Sequence, residues 1–204
     1  LYADYQKHQK LVKKRSRHQR KIRINTLDTT SYPPGKLWHV DTVILDWYGS
    51  KRSILTAIED KTKLGYARVY ANHSSKNAAD FLKRLVYLSD GDIAIVHSDN
   101  GSEFAGEFGK ATQQLAIFQV YSRVRTPNDN PALERFNRTI QEEWLDLSEV
   151  GLDDINEANH DLTSWLIEYN SIRPHQALDY LTPIEYAHHH YFNVSPMWPA
   201  STKI

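Results

Sequence analysis

Apolar and polar residues alternate from Leu37 to Trp47, and the alternation predicts a strand. It sets Trp38, Val40, Thr42 and Ile44 on one face and His39, Asp41, Val43 and Leu45 on the other. Tyr48-Gly49-Ser50 reads as a tight turn into a second strand, Arg52 to Glu59. Asp60-Lys61-Thr62-Lys63 turns again into a third, Leu64 to Tyr70. Three strands joined this closely make an antiparallel meander. The period then changes. Ala78, Phe81, Leu82, Leu85 and Leu88 recur at helical spacing behind a cap at Ser74 or Ser75. Ile93-Ala94-Ile95-Val96 opens a short buried strand over 93–98. Phe104, Phe108, Ala111 and Leu115 mark a helix after Ser102, and Ala116 to Tyr121 a further strand.

Residues 122–131 read as a loop ending in Asn130-Pro131, a cap followed by a first helical residue. The helix behind it has Leu133, Phe136, Ile140 and Trp144 as its apolar face. A last long helix starts near Asp154 and Glu157, with Leu152 as its hydrophobic staple. It buries Ile155, Ala158, Leu162, Trp165, Leu166 and Tyr169. The order βββαβαβα, with extra helices, predicts an α/β fold with a mixed sheet covered on both faces.

Composition narrows the chemistry. The 204 residues suffice for one good core, and 40% hydrophobic with 25% charged is an ordinary globular mixture. Without cysteine there are no disulfides, zinc–thiolate sites or thiol nucleophiles. No apolar run reaches membrane-spanning length and no signal peptide is visible, so the expected setting is cytosolic and no membrane partner is expected. The chain starts at Leu1 and its one methionine is Met197, which suggests a piece of a longer protein with an N-terminal module missing. The net charge of zero hides an asymmetry. Residues 1–23 hold nine Lys/Arg against Asp4 alone, whereas the remainder holds 16 against 24 acids. A basic arm on an acidic body suggests a polyanionic partner for the arm.

Three acids stand out by position. Asp41 lies mid-strand between large apolar residues, where an acid is costly unless paired or bound to a cation. Asp99 ends the strand over 93–98, ahead of the Asn100-Gly101 turn, where site carboxylates are common in α/β sheets. Glu134 lies on the first full turn of the helix capped by Asn130. If the first and fourth strands are neighbours, these three carboxylates form one cluster, which a divalent cation must join. Oxygen ligands suit Mg²⁺ or Mn²⁺. The alternatives are an i,i+4 pair of Glu134 with Arg138 and a turn-capping role for Asp99. Asp60 reads as turn chemistry. His97 shares strand parity with Asp99, as a supporting residue or a satisfied core histidine. His188-His189-His190 makes no chelate, since consecutive helical residues point about 100° apart.

Trp38-His39-Val40-Asp41, Ile58-Glu59-Asp60, His97-Ser98-Asp99-Asn100-Gly101-Ser102-Glu103-Phe104 and Asn128 through Thr139 resemble an integrase core domain. This is the catalytic domain of bacterial insertion-sequence transposases with an Asp-Asp-Glu triad, related to retroviral integrases. Tyr169-Asn170-Ser171-Ile172-Arg173-Pro174-His175 and Thr182-Pro183-Ile184-Glu185-Tyr186 are similar to the C-terminal signature of those transposases. The resemblance covers about residues 36–187, flanked by a basic arm and linker over 1–35 and a tail over 188–204. It implies a ribonuclease H-like fold, a mixed five-stranded sheet flanked by helices. It maps the triad and metal ligands onto Asp41, Asp99 and Glu134, with two Mg²⁺ that Mn²⁺ can replace. It implies DNA 3′-end cleavage and strand transfer during transposition. Double-stranded DNA, as transposon ends and target, is the implied partner, with a homo-oligomer on DNA in the bacterial cytoplasm, nucleoid-associated. Candidate DNA contacts are Lys13, Lys14, Arg15, Arg17, Arg20, Arg123, Arg125, Asn130, Asn137, Arg138 and Gln141. Two other readings are a nuclease of the same fold without strand transfer, and a catalytically silent DNA-binding derivative.

Overall fold

The computed structural model describes residues 21–123 and 130–190. The candidate contacts Lys13, Lys14, Arg15, Arg17, Arg20 and Arg125 lie outside those residues. The meander forms as expected: β1 (Leu37–Trp47), β2 (Ser50–Glu59) and β3 (Gly65–Tyr70) pair antiparallel. Helix α1 (Ser75–Leu88) begins at Ser74, whose hydroxyl accepts from the Asn77 amide. It leads to β4 (Ile95–Ser98), α2 (Gly106–Gln114) and β5 (Phe118–Tyr121). Strands β4 and β5 run parallel to β1, giving one five-stranded mixed sheet in the order β3-β2-β1-β4-β5.

Helix α3 (Pro131–Thr139) starts where Asn130 accepts from the Leu133 amide, with Pro131 in its first turn. It runs into one wide π-helical stretch, Ile140–Leu145, that the residue pattern does not announce. Helix α4 (Ile155–Ser171) is capped by Asp154, which accepts from Asn156 and Glu157. Helix α5 (Pro183–His190) closes the described chain, with Thr182 and Glu185 hydrogen-bonding each other's backbone in a capping box.

Strand alternation sorts the side chains into two main cores. Trp38, Val40, Leu55, Ala57 and Val96 face α1 and α2, meeting Phe81, Leu82, Leu85, Phe104 and Phe108. Ile54, Ile58, Ala67 and Val69 face the other helical layer, meeting Leu133, Phe136, Ile140, Trp144, Leu162 and Tyr169. A smaller third core joins Leu37, Ile95 and Val120 to Ile24. Packing therefore extends upstream of Lys36. Arg23 bridges Tyr121 in parallel, and the Tyr121 amide donates to Ile22, so this segment runs along the β5 edge.

The opposite edge, β3, is covered differently. The Asn170 amide donates to and accepts from the backbone of Gly65, and Asn159 does the same with Val69. Two buried side-chain amides on α4 thus replace the hydrogen bonds of a sixth strand. Gly65 permits this close approach, because a Cβ there would stand 2.6 Å from the Phe136 ring.

Candidate active site

The last registered pair between β1 and β4 is Val40 with Ser98. Asp41 and Asp99 are the next residues along the two chains, close enough that the charge of Asp99 acts on Asp41. Here the sheet splits. β1 continues to Trp47 alongside β2, whereas Asn100-Gly101 turns the chain away from β4. The opening at the carboxyl end of a parallel strand pair is where α/β sheets bind ligands.

Asp41 is held from the α3 side. Asn137 Nδ2 donates to its Oδ2 at 2.8 Å, and Thr56 Oγ1 donates to Asn137 Oδ1 at 2.7 Å. Thr56 is the registered partner of Asp41 across β2. Burial pushes Asp41 up from 3.8 to about 6, and the charges of Asp99 and Glu103 push the same way. Hydrogen bonds from the Thr42 backbone and Asn137 act against that rise. Asp99 accepts from the Gly101 amide at 2.7 Å. Both carboxylates crowd the turn at Gly101, where a Cβ would stand 2.5 Å from Glu103 Oε2 and 2.9 Å from Asp99 Oδ1. The same crowding brings Glu103 and Asp99 together.

Glu134 stands exposed on α3, one turn before Asn137, with no ion pair to Arg138 among the described residues. Residues three apart lie on one side of a helix, about 4.5 Å along its axis. Glu134 therefore shares the face whose amide grips Asp41. Among the described residues no three His, Asp or Glu side chains are gathered to hold a metal ion. The expected single cluster is not closed here: Asp41 and Asp99 adjoin, and Glu134 projects from the neighbouring turn. The donors nevertheless fit a hard divalent cation. All are carboxylate oxygens, and the desolvation and repulsion that raise Asp41 are what a bound cation relieves.

Below the acids lies a buried relay. His39 and His97 are registered partners, and their Nδ1 atoms stand 2.8 Å apart. His39 Nε2 reaches Asp60 Oδ1 at 3.2 Å and His97 Nε2 reaches Ser122 Oγ at 3.0 Å. Burial tends to raise Asp60, but the hydrogen bond and charge of His39, helped by Lys63 and Lys61, lower it overall. Asp60 is thus more than turn chemistry: it anchors the histidine pair two residues below the acids.

The candidate DNA contacts divide. Asn137 is 8% exposed and its amide is engaged by Asp41 and Thr56, so it positions rather than faces solvent. Gln141 donates to the Asn137 carbonyl, Asn130 caps α3, and Arg138 and Arg123 are exposed. The residue pattern missed the inward role of Asn137, whose partner is 96 positions away. It also missed Glu103, although Glu103 sits four residues after Asp99 across a turn that folds back on itself. Lys21 and Arg23, counted in the basic arm but not among the individual candidate contacts, both reach Asn100 Oδ1.

Fold and opening define the ribonuclease H-like class, a mixed sheet with one acid midway along β1 and another just past the end of β4. Models described as "Integrase core domain" match residues 31–127 and 115–183, and the chain belongs to that family. It is 27% identical over 193 residues to the insertion element IS476 uncharacterized 39.2 kDa protein of Xanthomonas euvesicatoria, covering 92% of this chain and 54% of the relative. The chain spans about half the length of the curated relatives it matches. Among solved structures it superposes with TM-score 0.64 on a chain of the simian T-cell lymphotropic virus intasome in complex with PP2A regulatory subunit B56 gamma. That match is 18% identical and covers 84% of this chain and 59% of the other. The HTLV-2 integrase catalytic core domain in complex with magnesium gives TM-score 0.56 at 18% identity, covering 75% and 96%.

Proposed function

We propose that this chain is the catalytic core of an insertion-sequence transposase that cleaves DNA at 3′ ends and joins them to a target with divalent metal ions. The observation that carries this reading is Asp41 beside Asp99 where the sheet opens, with Glu134 one helical turn from the Asn137 that grips Asp41. Asp41, Asp99 and Glu134 would hold the ions. Bound there, two Mg²⁺ neutralise charge on the entering and leaving oxygens of an in-line phosphoryl transfer. The chain's own part is positional. Asn137 and Thr56 fix the Asp41 rotamer, the Asn100-Gly101 turn fixes Asp99, and the histidine pair props the strand ends beneath both. Magnesium in one structural neighbour and an intasome in another support metal and DNA as the ligands. No side-chain nucleophile is required: water frees a 3′-hydroxyl, and that hydroxyl attacks the target at the same acids.

Glu134→Gln tests the assignment. It is expected to abolish Mn²⁺- or Mg²⁺-dependent cleavage and joining while leaving thermal unfolding within about 0.5 kcal/mol, because an exposed residue is replaced and the apolar face of α3 is kept. Glu107→Gln, an exposed acid paired with Lys110, is the control that retains activity. Strong residual cleavage by Glu134→Gln contradicts the triad. Cleavage without 3′-end joining favours a simple nuclease.

A further inference from the structure

We propose that Lys21, Arg23 and Asn100 form a phosphate-binding subsite beside Asp99, which holds the DNA backbone within about two nucleotides of the reacting phosphate. This rests on the reading above.

The segment carrying the two cations is fixed to the fold. It runs parallel to β5, and Ile24 is buried in the third core. Arg23 Nη1 donates to Asn100 Oδ1 at 2.9 Å and to the Ser122 carbonyl at 2.7 Å. One nitrogen makes both bonds, so the Nη2 and Nε donors of the planar fork remain for another acceptor among the described residues. Lys21 Nζ lies 3.3 Å from Asn100 Oδ1 and 4.4 Å from the centre of the Tyr121 ring. Asn100 Nδ2 in turn donates to the Ser122 carbonyl at 3.2 Å. Every group that orients the two cations is neutral, so their charges are aimed without being cancelled.

Arg52, Lys61 and Lys63 are likewise oriented by neutral carbonyls, away from Asp99, whereas other cations are paired with acids. Lys36 pairs with Asp92, Arg84 with Asp80, Lys110 with Glu107 and Arg173 with Glu143. Lys21 and Arg23 have no carboxylate partner among the described residues, although the body of the chain is rich in acids. Two oriented, uncompensated cations call for an anion, and an Arg fork with a Lys suits phosphate.

Position gives the register. The strand ends at Asp99, Ser122 and the Arg23 segment lie side by side, and the Lys21 and Arg23 side chains reach back to Asn100, so the subsite adjoins Asp99. A subsite that adjoins Asp99 holds a phosphate within about two nucleotides of the reacting one. Asn100 is covalently next to Asp99, so the bound backbone is tied directly to one of the acids.

The test uses the full chain, a duplex of arbitrary sequence and fluorescence anisotropy over a salt series. Lys21→Gln and Arg23→Gln together are expected to reduce the slope of log K against log salt by about 0.9, the value for one phosphate, and each alone by part of that. Arg23→Lys keeps the charge and is expected to keep the slope. Mn²⁺ binding followed by calorimetry is expected to be unchanged in all of them. A double variant with normal thermal unfolding and an unchanged slope overturns the subsite. If Arg23→Gln unfolds, the exposed Lys21→Gln alone decides by the same criterion. On a duplex whose cut position has been mapped, a neutral methylphosphonate within about two nucleotides of the cut is expected to slow the wild type and not the double variant. Equal sensitivity in both overturns the placement. A wild-type chain that binds with the expected slopes but never cuts DNA overturns the proposed function and leaves the subsite standing.

Discussion

Asp41 concentrates the conflict between stability and function in one carboxyl group. Its folded value of about 6 lies above the ordinary 3.8, so between those two values the folded chain holds more proton than the unfolded one. The stability gained from that proton is complete below about pH 4 and is lost as pH rises through about 6. Asp41→Asn removes the charge and keeps the shape. We expect it to match the wild type near pH 4 and to exceed it at pH 8 by on the order of 1–3 kcal/mol, read from urea unfolding without divalent cations. Adding Mn²⁺ at pH 8 is expected to stabilise the wild type and leave the variant unmoved. A variant less stable than wild type at pH 8 contradicts this account. Asp41 was legible in the sequence because an acid inside an alternating strand breaks the pattern. Asn137 was not, because it reads as a solvated helix residue until folding sets Asp41 against it.

At the scale of elements, local rules carried far. The caps at Ser74, Asn130 and Asp154 and the bounds of β1 followed from adjacent residues, and so did the apolar stripes of α1 and α3. The edge of the sheet did not. Asn159 and Asn170 look like polar interruptions in the α4 stripe, and only the packed structure sets them against Val69 and Gly65. The wide turn over Ile140–Leu145 was equally hidden, because Ile140 and Trp144 keep ordinary helical spacing and both are buried. Each Asn serves one backbone N–H and one C=O, so truncation strands two buried groups. Asn170→Ala is expected to cost about 2–4 kcal/mol, and Asn159→Ala a similar amount, by chemical denaturation. Losses below about 0.5 kcal/mol would mean that water replaces these amides with little effect.

Over the whole molecule, both sheet edges are covered among the described residues, β3 by α4 and β5 by the segment around Arg23. The residue pattern suggested that packing starts near Lys36, because residues 24–36 are polar and turn-rich. Ile24 and the hydrogen bond from Tyr121 to Ile22 show why that boundary is too late for a stable sheet. A chain beginning at Lys36 exposes the β5 edge and opens the third core. We expect it to aggregate where a chain beginning at Lys21 stays dispersed, as light scattering at matched concentration shows. Equal behaviour of the two would mean that the upstream segment contributes nothing to the edge.

The two edges differ in when they close. The β5 cover is made early in the chain, before β5 itself. The β3 cover comes from residues 90 and 105 positions downstream of the groups they satisfy. Ribosomes add about 5–20 residues per second, so a growing chain carries β3 uncovered for on the order of 5–20 seconds. Throughout that interval the unpaired backbone of β3 is open to any passing strand, including those of neighbouring chains on the same message. The yield of folded protein then depends on elongation rate and chaperone occupancy before it depends on the stability of the finished domain.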